Sequence, residues 1–314
     1  MRTPTGMVPL SNHAAPKRRD ICVGICTYKR PELLHHLLHQ LRTQETRDLF
    51  TYSILVVDND AARSAEPVVA EFARTSNIPV QYHSEPRQNI GLARNKVVQN
   101  CHSDFLAFID DDELPIPAWL LLLLQTYDQC EADGVLGPVK RRFDVPPPHW
   151  VLKSGFYDRP VHPTGSAVHW PEGRTGNVLL NMDLFQESDA RFDPVFHGGE
   201  DTDFFRRMIA KGHKFVWSAE AEASEVVPPA RWNRWFLLRR ALLRGASNLN
   251  HSNFGFREVA KSALAVPAYT LALPWTLLWG QHKFMDLLVR LCHHLGKLLA
   301  LCGINPVKEH YITE

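Results

Sequence analysis

The stretch Phe105-Leu106-Ala107-Phe108-Ile109-Asp110-Asp111-Asp112 decides how this chain folds. Its apolar residues run without alternation, which is typical of a central strand buried on both faces of a parallel sheet. The aspartates follow where such a strand meets the ligand crevice of an open α/β sheet. Adjacent carboxylates repel one another, and a divalent cation would relieve that repulsion. The alternative is a solvated acidic turn that caps a helix starting near Pro115 and Pro117.

The segments before this strand repeat one unit of apolar strand, turn and helix. Strands that alternate with helices of roughly ten to fifteen residues predict a mixed, mainly parallel sheet flanked by helices. A dinucleotide cofactor is not expected, because Gly24 is isolated after the first strand, and no Walker A sequence occurs. The predicted elements are strand 20–27, helix 31–40, strand 52–57, helix 64–74, strand 79–83, helix 91–100 and strand 104–109.

Composition restricts the class of protein. The 314 residues carry a net charge of +1, so no charge imbalance indicates a nucleic-acid partner, and we expect none. The six cysteines show neither a CxxC pair nor the spacing of a zinc site, and we expect reduced thiols in the cytosol. Residues 1–19 contain prolines and basic residues but no apolar segment of a signal peptide. We expect them to form a disordered tail.

A second acidic segment follows a long loop. Residues 144–176 are rich in proline, glycine, histidine and aromatic residues, and we expect a structureless lid or binding loop. Trp170 within it would stack on a sugar or fix the loop to the protein body. After strand 177–182 comes Gly198-Gly199-Glu200-Asp201, where a helix begins. The glycines leave room for a substrate near the backbone, whereas the acids are also ordinary first-turn residues of a helix.

Five short motifs follow one another between residues 25 and 201, and each is weak alone. They are Ile25-Cys26-Thr27-Tyr28-Lys29-Arg30-Pro31, Val56-Val57-Asp58-Asn59, Asn89-Ile90-Gly91-Leu92-Ala93-Arg94-Asn95, Asp110-Asp111-Asp112 and Gly198-Gly199-Glu200-Asp201. In this order and spacing they resemble a family 2 glycosyltransferase with the GT-A fold, in which the aspartate triplet is a DXD motif. The resemblance implies an inverting enzyme that uses Mn²⁺ or Mg²⁺ and moves one sugar from a nucleotide-diphosphate donor, typically a UDP-sugar. The acceptor would be a hydroxyl of a glycan or lipid-linked saccharide, in cell-surface or exopolysaccharide synthesis.

The same resemblance implies roles for individual residues. Asp201 would be the general base, a group that contributes typically ~10²–10⁴-fold to rate, and Glu200 would be its acceptor-binding partner. Asp110 and Asp112 would hold the metal that neutralises the departing diphosphate. The implied donor-binding residues are Thr27, Tyr28, Arg30, Asp58, Gly91, Arg94, Asn95, Asp110 and Asp111, and the implied acceptor-binding residues are Gly198, Gly199 and Trp170.

The chain departs from the family pattern at two places. Glu225 stands nearest the position where many relatives carry a metal- or phosphate-binding histidine, so its role is open. The sequence Arg231-Trp232-Asn233-Arg234-Trp235 replaces the QxxRW motif of processive members, which favours an enzyme that adds a single sugar. Arg231 and Arg234 would hold phosphates or simply begin the basic helix 231–244.

The C-terminal region is apolar and basic. Lys261 and Lys283 enclose an uncharged segment long enough for a membrane span, but its two prolines and clustered tryptophans favour an interfacial position. Residues 284–302 read as a basic amphipathic helix suited to an anionic membrane surface. We expect residues 231–302 to attach the protein peripherally to the cytoplasmic, inner face of the cell membrane. The alternative is an apolar helical hairpin packed on the catalytic domain.

The expected organisation is a catalytic domain over 20–230, divided into a nucleotide-binding half, 20–112, and an acceptor half, 113–230. A helical, membrane-associating region, 231–314, follows it. Two other functions stay open. A polyprenyl-phosphate sugar transferase would use a lipid phosphate as acceptor and would need no strong base, so the Glu200-Asp201 pair counts against it. A degenerate, non-catalytic family member is disfavoured by the intact acidic motifs.

Overall fold

The computed structural model of the chain describes residues 18–196, 198–247 and 255–304. Of the tail expected over 1–19, residues 1–17 lie outside the described residues. Arg19 already belongs to the first strand. All six cysteines are free thiols, as expected.

The first half of the chain alternates strand and helix as predicted, and each predicted bound lies within two residues of the observed one. Pro31 occupies the first turn of its helix, where its missing N–H costs nothing, and the helix buries a leucine face on the sheet. Asn89 caps the third helix by accepting a hydrogen bond from the Leu92 N–H at 3.0 Å. In chain order the elements are β1 (Arg19–Thr27), α1 (Pro31–Leu41), β2 (Phe50–Asp58), α2 (Glu66–Thr75), β3 (Val80–Ser84), α3 (Ile90–Asn100) and β4 (Phe105–Phe108).

The second half differs from the sequence expectation in two places. The aspartate triplet does not cap a helix, because Glu113–Pro115 is a short strand and the next helix begins at Trp119. The loop 144–176 is not structureless, since it contains a short helix and a 3₁₀ turn at Trp170–Glu172. The elements are β5 (Glu113–Pro115), α4 (Trp119–Cys130), β6 (Gly134–Leu136), β7 (Val139–Arg142), α5 (His149–Ser154), β8 (Val178–Asn181), α6 (Glu200–Ala210), β9 (Phe215–Trp217) and β10 (Ala223–Val226).

Two sheets organise these strands. A seven-stranded sheet has the order β3-β2-β1-β4-β8-β6-β9, in which only β8 runs antiparallel to its neighbours. A three-stranded sheet of order β5-β10-β7 lies beyond the end of β4. The predicted architecture, a mixed but mainly parallel sheet flanked by helices, is confirmed.

Strand β4 is buried on both faces, as its unbroken apolar run predicted. Phe105, Ala107 and Ile109 pack in the core formed with α1, α2 and α4. Leu106 and Phe108 pack on the opposite face with residues of α3 and α6. The strand therefore carries its following aspartates at a fixed position between two helical layers.

The C-terminal region is helical, with α7 (Arg234–Ser247), α8 (Phe256–Thr276) and α9 (Gln281–Leu301). Gly245 and Gly296 let α7 and α9 approach closely, because a Cβ at either position would overlap a backbone carbonyl oxygen of the other helix. Lys297, one of the basic residues of the amphipathic helix expected over 284–302, is buried and forms an ion pair with Glu258 at 2.8 Å. The packed-hairpin alternative therefore describes α9.

Helix α8 is different, since most of its surface is exposed. Leu264, Leu271 and Leu278 in and just after it are 74%, 76% and 77% exposed. Over Phe256–Trp279 the chain is long and apolar enough to cross a membrane. Ser262 is an exception and is buried against His294 of α9 through a 3.0 Å hydrogen bond.

We expect Gly296→Leu to lower the free energy of unfolding by about 1–3 kcal/mol, because the added side chain must force α9 away from the backbone of α7. Leucine favours helix, so a loss cannot come from helix propensity. Denaturant unfolding and limited proteolysis measure the effect. Ala272→Leu, which adds the same bulk to an exposed position of α8, is the matched control. Equal stability of both variants would contradict the close helix contact.

Candidate active site

A cleft of about 1090 Å³ opens at the carboxyl ends of β1 and β4. It brings together most of the site residues predicted from the sequence. Those that line it are Thr27, Tyr28, Arg30, Arg94, Asp110, Asp111, Asp112, Trp170, Gly198, Gly199, Glu200, Asp201, Glu225 and Arg231. The segments that carry them are far apart in the chain, so the sheet and α6 create the cleft.

Asp111 connects the aspartate turn to the end of β1. Gly24 pairs with Phe108 in the parallel register, which places Thr27 beside Asp111 three residues later. The Thr27 hydroxyl donates to Asp111 at 2.8 Å, and Arg30 donates to it at 3.3 Å. Burial and the neighbouring Asp112 raise the pKa of Asp111 to about 7 despite these donors. Asp111 thus braces the turn from within.

All three carboxylates of the turn line the cleft, and Asp110 is the most accessible of them, with its side chain 48% exposed. Desolvation inside the cleft, together with the nearby Asp112 and Glu225, raises the pKa of Asp110 to about 6. Asp112 accepts from Arg231 at 2.8 Å and from Arg30 at 3.3 Å. A dication would relieve this repulsion, so the residues fit a metal held by two carboxylates. Among the described residues, no group of three or more His, Cys, Asp or Glu side chains forms a closed metal site.

The second sheet adds two further carboxylates to this region. The antiparallel register of β5 and β10 places Glu225 opposite Glu113. Glu113 is 1% exposed, and its burial raises the pKa well above the usual range of a carboxyl group. Its Oε2 accepts the Asp110 N–H at 3.3 Å and so supports the turn. Glu113 was not among the site residues predicted from the sequence, although its position directly after the triplet was a signal.

Glu225, whose role the sequence left open, is surrounded by guanidinium groups. Arg231 donates to it at 2.5 Å and Arg141 at 3.2 Å, and Arg159 lies 3.5 Å away. In this structure the carboxylate is therefore an anchor for arginines. Because Arg231 also contacts Asp112, it joins the second sheet to the aspartate turn.

A buried ion pair joins the two halves of the cleft. Arg94 of α3 donates to Glu200, the first residue of α6, and both side chains are less than a tenth exposed. Arg94 also lies 3.8 Å from Asp110. The second carboxylate oxygen of Glu200 is buried and has no hydrogen-bond partner among the described residues. A buried carboxylate oxygen normally has a donor, so this one is an exception.

Asp201 lies in the first turn of α6, directly after the glycine pair, and lines the cleft with it. Gly198 and Gly199 both have positive φ angles, 134° and 90°, which favour glycine and direct the chain into the helix. The Asp201 carboxylate accepts the Thr202 N–H at 2.7 Å. His197, in the same segment, lies outside the described residues.

Trp170 extends into the cleft from the 3₁₀ turn of the long loop and is 40% exposed. The loop is held against α6, since Gly173 packs against the ring of Phe205 and its carbonyl accepts from the Thr202 hydroxyl at 3.5 Å. The rest of the loop is thereby fixed while the indole stays accessible.

Asp58 does not line the cleft. Its carboxylate is fully buried and accepts hydrogen bonds from the Ala65 N–H at 2.8 Å and the Tyr82 hydroxyl at 3.1 Å. In this structure it shapes the turn after β2, and its neighbour Asn59 reaches the cleft instead. The role of Asp58 in donor binding stays a prediction.

Gly91, Asn95 and Arg234 also lie outside the lining of the cleft. Asn95 exchanges hydrogen bonds of 2.7 and 2.9 Å with the backbone of Phe192, and Gly91 packs against the same 192–194 segment. Arg234 is exposed and lies over the ring of Trp150, 5.6 Å from its centroid. In this structure these residues support the surrounding segments, and their predicted ligand contacts stay untested.

Several arginines of the cleft were not predicted from the sequence. They are Arg141, Arg159, Arg174, Arg240 and Arg244. Only Arg240 and Arg244 gave a signal, because they are four residues apart and share one face of α7. Arg141 lies on β7, and Arg159 and Arg174 lie on the long loop. Their spacing in the sequence does not indicate that they line the same cleft.

Comparison with known proteins identifies relatives in sequence. The family model described as "Glycosyl transferase family 2" matches residues 22–189. The succinoglycan biosynthesis protein ExoM of Rhizobium meliloti (strain 1021) is 32% identical over 307 residues, which cover 94% of this chain and 96% of that protein. A pre-mycofactocin glycosyltransferase of Mycobacterium tuberculosis (strain ATCC 25618 / H37Rv) is 26% identical over 63% of this chain and 41% of its own length.

Solved structures match over the whole described fold. The mannosyltransferase PcManGT from Pyrobaculum calidifontis, in complex with GDP-Man and Mn²⁺, has a TM-score of 0.62 at 16% identity and covers 90% of this chain and 88% of its own. Residues 1–349 of TarS from S. aureus, in complex with UDP-GlcNAc, have a TM-score of 0.53 at 14% identity and cover 91% and 92%. At these identities the likeness shows the fold alone.

We expect Arg94→Met to lower the free energy of unfolding by about 3–5 kcal/mol, because it leaves Glu200 buried without a counter-charge. The double variant Arg94→Met/Glu200→Met should recover most of that loss, since apolar residues of similar volume often replace a buried pair without cost. Denaturant unfolding of both variants measures the coupling.

The exposed pair of Arg63 and Glu66 provides the control, and Arg63→Met should cost less than about 1 kcal/mol. An Arg94→Met variant no less stable than Arg63→Met would show that the Arg94–Glu200 pair does not connect α3 to α6.

Proposed function

The chain belongs to glycosyltransferase family 2, and we propose that it moves one sugar from a nucleotide-diphosphate donor to an acceptor hydroxyl with inversion at the anomeric carbon. The observation that carries this proposal is the position of Asp201. It lies in the first turn of α6 and lines the same cleft as the aspartate turn that follows β4. A base and carboxylates that would hold a metal ion for the diphosphate, in one cleft, are what this transfer needs.

Asp110 and Asp112 would hold a divalent cation, Mn²⁺ or Mg²⁺, together with the donor diphosphate. When bound, such an ion neutralises negative charge on a departing diphosphate. Support comes from the raised pKa of Asp110, which reflects desolvation and then the neighbouring carboxylates, and from the Mn²⁺ in the complex of PcManGT. Arg30 and Arg231 contact Asp112 and are the cations placed to contact phosphate oxygens beside it.

Asp201 would remove the proton from the acceptor hydroxyl as that oxygen attacks the anomeric carbon. The Thr202 N–H donates to one of the Asp201 carboxylate oxygens and fixes the orientation of that side chain. A single displacement inverts the anomeric centre, so an α-linked donor of a D-gluco-type sugar would give a β-linked product. Glu200, held by Arg94, would orient the acceptor through its free oxygen.

We propose a UDP-sugar as donor and a glycan or lipid-linked saccharide as acceptor, in polysaccharide synthesis. ExoM, a succinoglycan biosynthesis protein, matches nearly the full length of this chain and supports that setting. The solved relatives bind UDP-GlcNAc in one case and GDP-Man in the other, so the base of the nucleotide is best established by direct binding measurements.

We also propose that α8 attaches the protein peripherally to the cytoplasmic face of the cell membrane. Its support is the exposed leucine surface together with Trp275 and Trp279, which are 65% and 67% exposed. Tryptophan favours the membrane–water interface. Pro267 and Pro274 lie inside the helix, an arrangement that suits an interfacial helix as well as a spanning one.

The base is tested by Asp201→Asn, which keeps the size of the side chain but removes its basicity. We expect transfer to fall by at least about a hundredfold while donor binding is retained. Turnover with a panel of UDP-, GDP- and dTDP-sugars, beside donor calorimetry, measures both quantities.

Asp112→Asn is the contrasting variant and should lose metal-dependent donor binding. Near wild-type transfer by Asp201→Asn would place the base elsewhere, and loss of donor binding in that variant would assign Asp201 to the donor site.

The membrane proposal is tested by Leu264→Ser/Leu271→Ser/Leu278→Ser. Because these side chains are exposed, we expect unchanged thermal stability but loss of binding to vesicles of phosphatidylglycerol and phosphatidylethanolamine. The matched control is Leu49→Ser/Val145→Ser/Leu152→Ser, which removes exposed apolar residues elsewhere, at 53%, 53% and 58% exposure. Equal vesicle binding by both triple variants would contradict attachment through α8.

A further inference from the structure

The cleft continues past Asp201 into a region whose walls are basic. Arg240 and Arg244 of α7 lie there beside Arg141 of β7 and Arg159 of the long loop. These groups repel one another. Burial and the neighbouring Arg244 lower the pKa of Arg240 to about 9, and burial and Arg141 lower the pKa of Arg244. A concentration of like charge of this kind is unfavourable unless an anion joins it.

The protein itself supplies few counter-charges in this region. Glu225 contacts Arg141 and Arg159. Within the described parts of the chain, Arg240 and Arg244 form no hydrogen bond or ion pair, and the Nε and Nη2 atoms of Arg174 are buried without a partner. Buried N–H groups normally find an acceptor. An anion bound in the cleft would supply the acceptor that the buried Arg174 atoms lack, and Arg240, which is half-buried, and Arg244, which is exposed, are both accessible to the same ligand.

The basic region lies in the same cleft as Asp201, the proposed base that would contact the acceptor. Asp201 and Arg244 both line it. In the other direction the cleft reaches Glu258 and Lys297, at the start of α8 and on α9. The exposed leucines of α8 follow directly. One continuous cleft thus joins the aspartate turn, the base, the arginines and an apolar helix.

We propose that Arg240 and Arg244, with Arg174, form a second anion subsite that binds the diphosphate of a lipid-linked saccharide acceptor. This inference rests on the proposed glycosyl transfer and specifies its acceptor class. The saccharide would extend to Asp201 and the lipid would lie along α8. Residues four apart on a helix have Cβ atoms about 5–6 Å apart, which lets two guanidinium groups hold the two phosphates of one diphosphate.

Two other sources could supply the same phosphate chemistry, namely the donor diphosphate and a phospholipid headgroup. The donor diphosphate is disfavoured because Arg30 and Arg231 already serve the aspartate turn. A headgroup is disfavoured because Arg240 lies within a cleft and not on the exposed surface of α8.

The experiment measures binding of farnesyl diphosphate to the full-length protein by calorimetry, with saturating UDP and Mn²⁺ present so that the donor site is filled. We expect the wild-type protein to bind the probe and Arg240→Gln/Arg244→Gln to bind it at least about tenfold more weakly, with UDP binding unchanged. Farnesol, which lacks the diphosphate, should bind both proteins equally weakly. Arg239→Gln is the control, because Arg239 is exposed on the same helix and does not line the cleft.

Three results would overturn the proposal. Equal binding of farnesyl diphosphate by wild type and double variant would show that no such subsite exists. Competition between the probe and UDP, or an equal loss of UDP binding in the variant, would assign the arginines to the donor. Loss of binding to phosphatidylglycerol vesicles without loss of probe binding would assign them to the membrane surface. A wild-type protein that binds no nucleotide would instead overturn the proposed glycosyl transfer itself.

Discussion

Crowding of negative charge at the end of β4 is the constraint on which the site depends. Asp110, Asp111 and Asp112 follow one another there, and the second sheet adds Glu113 and Glu225. Arginines from the β1–α1 turn, from α3 and from the segment after β10 each contact at least one of these carboxylates. These ion pairs hold segments that are distant in the chain together at the end of β4. The side chains of those segments form the walls of the cleft.

The part of the fold that depends on local pattern could be predicted from the sequence. The run before the triplet was expected to be buried on both faces, and its alternate residues indeed enter two separate cores. The meeting of Glu113 with Glu225 could not be predicted, because it depends on the register of two short strands that are far apart in sequence. The orientation of the Asp58 side chain could not be predicted either. The motif gives its position in the sequence, but the hydrogen bonds of the turn after β2 determine where its carboxylate points.

Hydropathy predicted apolar C-terminal helices but could not tell which apolar face is covered by protein. Helix α9 is covered, because Gly245 and Gly296 allow it to lie directly on α7 and its Lys297 finds Glu258 inside the hairpin. Helix α8 keeps its leucines exposed. An apolar helix face that contacts lipid and one that packs on another helix have the same pattern of apolar residues. The glycine contact with α7 is what distinguishes α9 from α8.

The glycine contact between α7 and α9 has a consequence for the size of the acceptor. The backbones of the two helices lie directly against each other there, with no room for even a Cβ atom between them. If α8 lies on the membrane as proposed, the height of Asp201 above the bilayer is then fixed. A growing saccharide anchored in that bilayer would present its terminal hydroxyl at the base only at one length, and the helix hairpin would act as a ruler.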